Sequence, residues 1–395
     1  MANREVVVLS AVRTAIGKFG GALKDIAPTE LAAKVVCQSL RRSKINPETI
    51  GHVVFGNVIQ TEPKDMYLSR VAAVRGGVPV KTPAMTVNRL CGSGLQAIVS
   101  AAGFILDGSC DAAIGGGVES MSRAPYWLPA MRWGARLNDA KAVDALVAAI
   151  TDPFDDVHMG VTAENIARES AVSRQDQDAW AVESHRRAIA AMRDGRFAGE
   201  IIPVELKSKA GTTQFVTDES PRADATIEAL SRLKPAFDPE GTVTAGNASS
   251  INDGAAAVVL MEKNADGHRG LAPIARLVDY AVTGVEPRIM GMGPVPAVRK
   301  LYQRTGLATK DMDVIELNEA FAAQFLAVQR ELDLPLEKTN PNGSGISLGH
   351  PIGATGAVLT VKALHELRRI GGRYALVAMC IGGGQGIAAI FESVN

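Results

Sequence analysis

The strongest constraint on how this chain folds is an internal repeat. Leu95, Ile98, Val99, Ala102, Ile105 and Leu106 fall at helical spacing, and Ala354, Ala357, Val358, Val361, Leu364 and His365 repeat that spacing position by position. Strands flank both copies. Asp111-Ala112-Ala113-Ile114 runs into Gly115-Gly116-Gly117, and Tyr374 to Ile381 runs into Gly382-Gly383-Gly384. Upstream, Val53-Val54-Phe55 ends at Gly56-Asn57, much as Asp313-Val314-Ile315-Glu316 ends at Leu317-Asn318. Two copies of one α/β unit account for this pattern, and strand alternating with helix implies a largely parallel, layered sheet.

The same comparison locates an insertion. In the second copy the triple glycine passes through Gln385-Gly386 directly into the strand Ile387 to Phe391, whereas the matching strand of the first copy begins only at Gly254. The expected organisation is an N-terminal half formed by residues 1–117 and 247–272, an inserted loop domain over 118–246, and a C-terminal half over 273–395. An insertion planted beside a catalytic centre usually handles the substrate, and an oligomerisation role is compatible with that.

Composition narrows the class of partner. With 395 residues the chain is long enough for more than one sizeable core. Its 42 basic and 42 acidic residues balance, and no long block of like charge appears, which argues against nucleic acid or an anionic membrane as the main partner. No apolar run approaches the ~18 residues of a membrane span, and the start, Met1-Ala2-Asn3-Arg4 followed by the strand Glu5 to Leu9, has no signal-peptide character. The cysteines at 37, 91, 110 and 380 show no metal-binding spacing, so free thiols, no metal site and a cytoplasmic location are the expectations.

Laying one helix on the other sets His350 at the position of Cys91. Cys91 lies where an apolar lead-in, Thr86-Val87, turns into a helix within Asn88-Arg89-Leu90-Cys91-Gly92-Ser93-Gly94. A thiol there would meet unpaired N–H groups and the positive end of the helix dipole, which favour thiolate; the alternative is a buried cysteine acting as a small hydrophobe. His350, in Gly349-His350-Pro351, stands immediately before the second helix, where the dipole would keep its ring neutral and fit to take the proton of Cys91. Cys380 ends a buried strand before three glycines, either as a proton shuttle or as packing. Asn318 is a candidate to orient a water or an oxyanion, or simply a cap. His52, His185, His268 and His365 read as structural. Gly384-Gln385-Gly386-Ile387-Ala388-Ala389 has the glycines of a dinucleotide motif but leads into a strand instead of opening a helix, so it fails the structural test. By residue types alone a cysteine hydrolase using Cys91, His350 and Asn318 stays possible.

Taken together, the blocks around Cys91, Gly116-Gly117-Val118-Glu119-Ser120-Met121-Ser122, Asn318-Glu319-Ala320-Phe321, Gly349-His350-Pro351 and Cys380-Ile381-Gly382-Gly383-Gly384-Gln385-Gly386 resemble the signatures of thiolases, in order and from Arg13-Thr14 to the last strand. The wording is most similar to bacterial biosynthetic β-ketothiolases of broad specificity that feed polyhydroxyalkanoate synthesis. The resemblance implies a thiolase-like fold of duplicated α/β/α/β/α halves, each five-stranded, with an inserted loop domain. It implies reversible condensation of acyl-CoA with acetyl-CoA to 3-oxoacyl-CoA, with coenzyme A thioesters as substrates, no permanently bound cofactor, and a homotetramer built as a dimer of dimers. In that scheme Cys91 takes the acyl group, His350 activates it, and Cys380 moves the α-proton. The N–H groups of Cys91 and Gly382 form one oxyanion hole, and His350 with a water held by Asn318 forms the other. The implied coenzyme A contacts are His158, Met159, Arg222, Phe237, Ser249, Met290, Ala320 and Phe321. One departure is Asn247-Ala248-Ser249-Ser250, where the family usually has glycine in place of Ser250. Within the same fold, a ketoacyl-synthase-like enzyme or a non-catalytic acyl-CoA carrier is the alternative.

Overall fold

A computed structural model describes residues 4–209, 211–265 and 270–394; His268 lies outside them. The main sheet path among these residues holds nine strands: β1 (Val6–Thr14), β2 (Ile50–Gly56), β3 (Ala84–Val87), β4 (Ala112–Ser120), β5 (Asn252–Glu262), β6 (Ala275–Gly284), β7 (Val314–Leu317), β8 (Tyr374–Ile381) and β9 (Gln385–Ser393). Their spatial order is β7-β8-β9-β6-β1-β5-β4-β2-β3. The helices that matter for the site are α1 (Pro28–Ser43), α2 (Ser93–Leu106), α3 (Met159–Glu169), α4 (Arg174–Arg193), α5 (Ala322–Glu331), α6 (Gly345–Leu348) and α7 (Thr355–Ile370).

The repeat is realised, but the sheet is mixed and not largely parallel. β2 pairs in parallel with β3 and β4, and β7 with β8, whereas β1–β5, β5–β4, β6–β9, β8–β9 and β1–β6 are antiparallel. The alternation with helices predicted parallel neighbours correctly inside each helix-linked unit. It failed where the chain returns after a tight turn, as between β8 and β9, or after the insertion, whose helices do not serve as a single crossover between neighbouring parallel strands. The two halves also differ in strand number. The N-terminal half has five strands, β3-β2-β4-β5-β1, while on the far side of β7 the pairing is reduced to an isolated parallel bridge between Ile315 and Thr339. There Ile315 donates to the Lys338 carbonyl at 2.9 Å and Asn340 donates to the Ile315 carbonyl at 2.8 Å.

Three layers of helix enclose the two parts of the sheet. α1 sets Leu31, Val35 and Val36 against Val7, Val53 and Ile114 on one outer face, and Val298, Leu301 and Phe325 cover Ile315, Leu376 and Ile390 on the other. Between them lie α2 and α7, packed on each other and on the inner faces of both halves, with Leu95, Ile98, Ala102, Ala357, Val358 and Val361 all buried. Of the helical face read from the repeat, Leu106 is the exception and is 45% exposed at the end of α2. The two helices approach so closely that side chains are excluded at the crossing. A Cβ on Gly94 would stand 2.6 Å from the Ala357 backbone nitrogen, and one on Gly356 would stand 2.4 Å from that of Leu95.

The insertion is fastened to β1 by a buried ion cluster. Arg13, fully buried, donates to Glu200 at 2.7 Å and to both oxygens of Asp218 at 2.7 and 3.0 Å, with its guanidinium 5.0 Å from the Phe197 ring centroid. Asp218 also accepts the Ile16 N–H at 2.7 Å. One guanidinium faces two carboxylates, and the Ile16 N–H on Asp218 helps offset the excess negative charge; without Arg13 both carboxylates would be left buried with no cation beside them.

The helix crossing generates a paired prediction. Gly94→Ala forces a methyl into backbone and should cost about 3 kcal/mol or more in urea unfolding. Gly103→Ala in the same helix meets nothing within 4 Å and should gain up to about 1 kcal/mol from helix propensity.

Candidate active site

Cys91 sits on a turn, not in the helix that follows it. Leu90 holds a left-handed conformation with φ 43°, unusual for a bulky residue and costing on the order of 1–3 kcal/mol. Neighbouring side chains hold it there: Asn88 Oδ1 accepts the Leu90 N–H at 2.9 Å, while Ser93 Oγ accepts the Arg89 N–H at 2.8 Å and donates to the Leu90 carbonyl at 2.7 Å. The turn presents the Cys91 thiol to a cavity of about 730 Å³, which His350, Cys380, His158, Phe237 and Phe321 also line.

Of the two states that the sequence left open, a dipole-stabilised thiolate is not the one the fold favours. The Gly92 and Ser93 N–H groups are spent on the Arg89 and Leu90 carbonyls at 3.0 and 2.9 Å, so the start of α2 offers the sulfur little. Burial pushes the Cys91 thiol up to about 11; N–H bonds from Gly382 and from Cys91 itself oppose this, and the charge of Glu119 adds to it. Cys380, buried at the end of β8, is raised further by burial and by the neighbouring Cys91. Gly382 does not line the cavity wall, yet its N–H and that of Cys91 converge on one sulfur. A Cβ on Gly382 would lie 2.1 Å from the Met159 methyl, so a larger residue there would have to displace the end of that side chain.

His350 is neutral, as expected, but for a different reason. α7 begins at Thr355, beyond the turn Pro351-Ile352-Gly353, and burial alone lowers the ring to about 4. Thr355 fixes the tautomer. Its hydroxyl donates to the Pro351 carbonyl at 2.9 Å and lies 2.6 Å from His350 Nδ1, so it accepts the Nδ1 proton and leaves Nε2 as the basic nitrogen. Asn318 Nδ2 stands 3.4 Å from that Nε2, and Asn318 Oδ1 is buried with no protein partner among the described residues. Asn318 itself lies behind the cavity lining.

The remaining candidates form the channel that leads to this pair. His158 caps α3, its Nδ1 accepting the Gly160 N–H at 2.9 Å, and stacks on Phe237 with centroids 4.4 Å apart; Phe237 meets Phe321 edge-on at 6.2 Å. Ser249 donates its backbone N–H to Ala320 at 2.9 Å, and Met290, Ala320 and Phe321 are buried beside it. Arg222 lies exposed at the mouth of the cavity. His185, read as structural from its charged helix, turns out to line the cavity as well: its Nδ1 accepts the Arg222 N–H at 3.1 Å, and burial first, then Arg222, lowers it to about 4. Of the other histidines, His52 stacks on Phe104 and His365 bonds to the Ala11 carbonyl, away from the site. Among the described residues no cluster of His, Cys, Asp or Glu is arranged to hold a metal, and no helix is long and apolar enough to cross a membrane.

Comparison with known proteins decides the family. The thiolase N-terminal domain model matches residues 6–264 and the thiolase C-terminal domain model residues 271–393. The chain belongs to the thiolase family. This thiolase is 64% identical over 393 residues to beta-ketothiolase BktB of Cupriavidus necator, covering 99% of this chain and all of that one. It is 45% identical over 390 residues to an acetyl-CoA acetyltransferase of the same organism, covering 98% and 99%. The crystal structure of human mitochondrial 3-ketoacyl-CoA thiolase in complex with CoA matches with a TM-score of 0.96 at 45% identity, over 99% and 98% of the two chains. The thiolase is accordingly an acyltransferase, and the duplicated fold with its insertion is the family fold. Thr355, Glu119 and Asn252 were not singled out from sequence: Glu119 and Asn252 act through hydrogen bonds to residues distant in the chain, and Thr355, five residues after His350, reads as an ordinary helix-start residue. Glu119 accepts N–H bonds from Asn57, Val58, Ile59 and Gly353 at 2.8–3.1 Å, tying the His350 turn to the end of β2.

The electrostatics predict a site that is neutral at rest. Alkylation of Cys91 by iodoacetamide, followed by peptide mass spectrometry, should still be accelerating above pH 9, without the plateau of an ordinary thiol near about 8.5. The His350 ring, whose folded value of about 4 lies below the usual 6.5, should remain neutral in nitrogen NMR at pH 5.5.

Proposed function

We propose that this thiolase interconverts 3-oxoacyl-CoA plus coenzyme A with acyl-CoA plus acetyl-CoA through an acyl group held on Cys91. The observation that carries the residue assignment is the meeting of Cys91, His350 and Cys380 in one cavity, with the Gly382 and Cys91 N–H groups converging on the nucleophilic sulfur. In the cleavage direction Cys91 attacks the 3-oxo carbonyl as its proton passes to His350 Nε2. The developing oxyanion takes the two N–H groups, each worth about 3 to 4 kcal/mol of barrier. The bond between the α- and β-carbons then breaks, and the acetyl-CoA enolate, steadied by the protonated His350 and a water on Asn318, takes a proton from Cys380. That step needs a protonated Cys380, which agrees with its raised pKa. Incoming coenzyme A gives its thiol proton to Cys380, its sulfur takes the acyl group, and departing Cys91 recovers the proton from His350. Condensation is the same path reversed.

The channel residues His158, Met159, Phe237, Ser249, Met290, Ala320 and Phe321 take the pantetheine arm, and Arg222 lies toward the nucleotide end. The volume of about 730 Å³ suits a cofactor-sized ligand. Acetoacetyl-CoA and 3-oxovaleryl-CoA are the proposed substrates, in keeping with similarity to a beta-ketothiolase and to an acetyl-CoA acetyltransferase. A cytoplasmic role in supplying polyhydroxyalkanoate or in fatty acid metabolism follows from that reading, as does the division into halves 1–117 with 247–272 and 273–395 around a loop domain, 118–246. A homotetramer belongs to the same reading; the insertion exposes Tyr126, Trp127, Leu128, Met131, Trp133 and Leu137, apolar side chains that self-association would cover.

Thiolysis of acetoacetyl-CoA and 3-oxovaleryl-CoA tests this directly: both should be turned over by the wild type and neither by Cys91→Ala. Cys380→Ser should still acquire an acyl group on Cys91 from acetyl-CoA, more slowly because the departing coenzyme A thiolate loses its proton donor, while losing condensation. Release of free acid instead of a stable acyl-enzyme would make the protein a hydrolase.

A further inference from the structure

Asn252, the first residue of β5, is wholly buried, and no catalytic or binding role has been given to it above. Its side chain uses every hydrogen-bonding position that it has. Nδ2 donates to the Gly17 carbonyl at 3.1 Å and to Ser220 Oγ at 3.0 Å, and Oδ1 accepts from Ser250 Oγ at 2.9 Å and from the His350 backbone N–H at 2.9 Å. These partners fix the amide's orientation, because a flipped amide would face donor to donor and acceptor to acceptor. The contact is tight as well as saturated. Gly349 sits over the amide with φ 110°, and a Cβ there would lie 2.4 Å from it.

The partners divide into two groups. Ser220, Ser250 and Lys18, the residue after Gly17, line the cavity, and Ser220 lies two residues before Arg222. On the opposite side is the base. We propose that Asn252 is a positioning residue that holds His350 in register with the coenzyme A channel, by joining the loops of Gly17, Ser220 and Ser250 to the His350 backbone through one buried amide. This rests on the thiolase reading of the site. It also gives Ser250 a purpose. The Ser250 hydroxyl supplies the second donor to Oδ1, so the amide is held by four bonds where a glycine at 250 would leave three.

The test compares Asn252→Asp, Asn252→Ala and Ser250→Gly with the wild type in full-length protein. It measures kcat and KM for acetoacetyl-CoA thiolysis from pH 5 to 9, thermal melting, and Cys91 alkylation. Ionised aspartate would keep the acceptors for His350 and Ser250 but set a negative oxygen against the Gly17 carbonyl, whereas the protonated acid can donate there. The variant-to-wild-type ratio of kcat for Asn252→Asp should therefore fall with rising pH, by up to about a hundredfold for a base misplaced by an ångström. KM should stay near the wild-type value and Cys91 alkylation should be unchanged. Ser250→Gly should lose less in the same sense. A flat ratio, a rise in KM with kcat intact, or a lower melting temperature with unaltered kcat would each overturn the proposal. If Asn252→Ala does not fold, the aspartate ratio decides alone. Failure of the wild type to cleave acetoacetyl-CoA would sink the thiolase reading instead. The His350 amide shift in Asn252→Asp would then report the contact without turnover, and an unshifted amide would overturn the proposal.

Discussion

Everything at the centre of this molecule depends on two buried helices crossing without side chains between them. Where α2 meets α7, Gly94 faces the backbone of Ala357 and Gly356 faces that of Leu95, and the adjoining Gly117 has the Gly353 carbonyl where its Cβ would be. Close-packed interiors transmit such contacts rigidly. The turns leading into the two helices carry Cys91 and His350, so the spacing of the two side chains is set first by a backbone contact. The side chains of Asn88, Ser93, Glu119 and Asn252 then hold each turn in place. The internal repeat supplies one partner from each copy.

Burial, more than dipoles, sets the chemistry that this geometry delivers. A helix terminus stabilises charge only if its N–H groups are free, and at α2 the turn consumes them. What remains is a buried site in which burial holds two thiols and an imidazole uncharged. Charge then appears only as a proton moves, beside donors already aimed at it, and little reorganisation is required at that moment. The hydrogen bond from His350 Nδ1 to Thr355 serves the same end by leaving only Nε2 free to accept the proton.

The duplication and the insertion were legible in sequence because each is written as a local pattern: periodic apolar residues and a missing strand. Cys91 and His350 stood out beside glycines at matching places in the repeat, whereas Cys380 read equally well as packing. What escaped was written between distant positions. The antiparallel return of β5 beside β4 depends on a connection that leaves the sheet and comes back. The fifth strand of the second half is reduced to a bridge between Ile315 and Thr339, which the local pattern does not show. His185 looked like one more polar residue on a charged helix, and only the fold brings it against Arg222 at the cavity mouth. Asn252 and Glu119 belong to the same class: a buried polar side chain declares its role only when its partners are assembled around it.

The interrupted first half has a consequence for how the protein is made. β4 ends at Ser120, yet β5, which separates it from β1 in the finished sheet, begins at Asn252. During synthesis at about 5 to 20 residues per second, the ribosome spends on the order of ten seconds on the insertion before that strand emerges. For that interval β1 and β4 each present an unpaired apolar edge, the kind of surface that recruits other chains. The gap is also non-local in the sense that slows folding. Closing the first half is thus a late event on the chain's timetable, and chaperones able to shield a strand edge have their longest opportunity there.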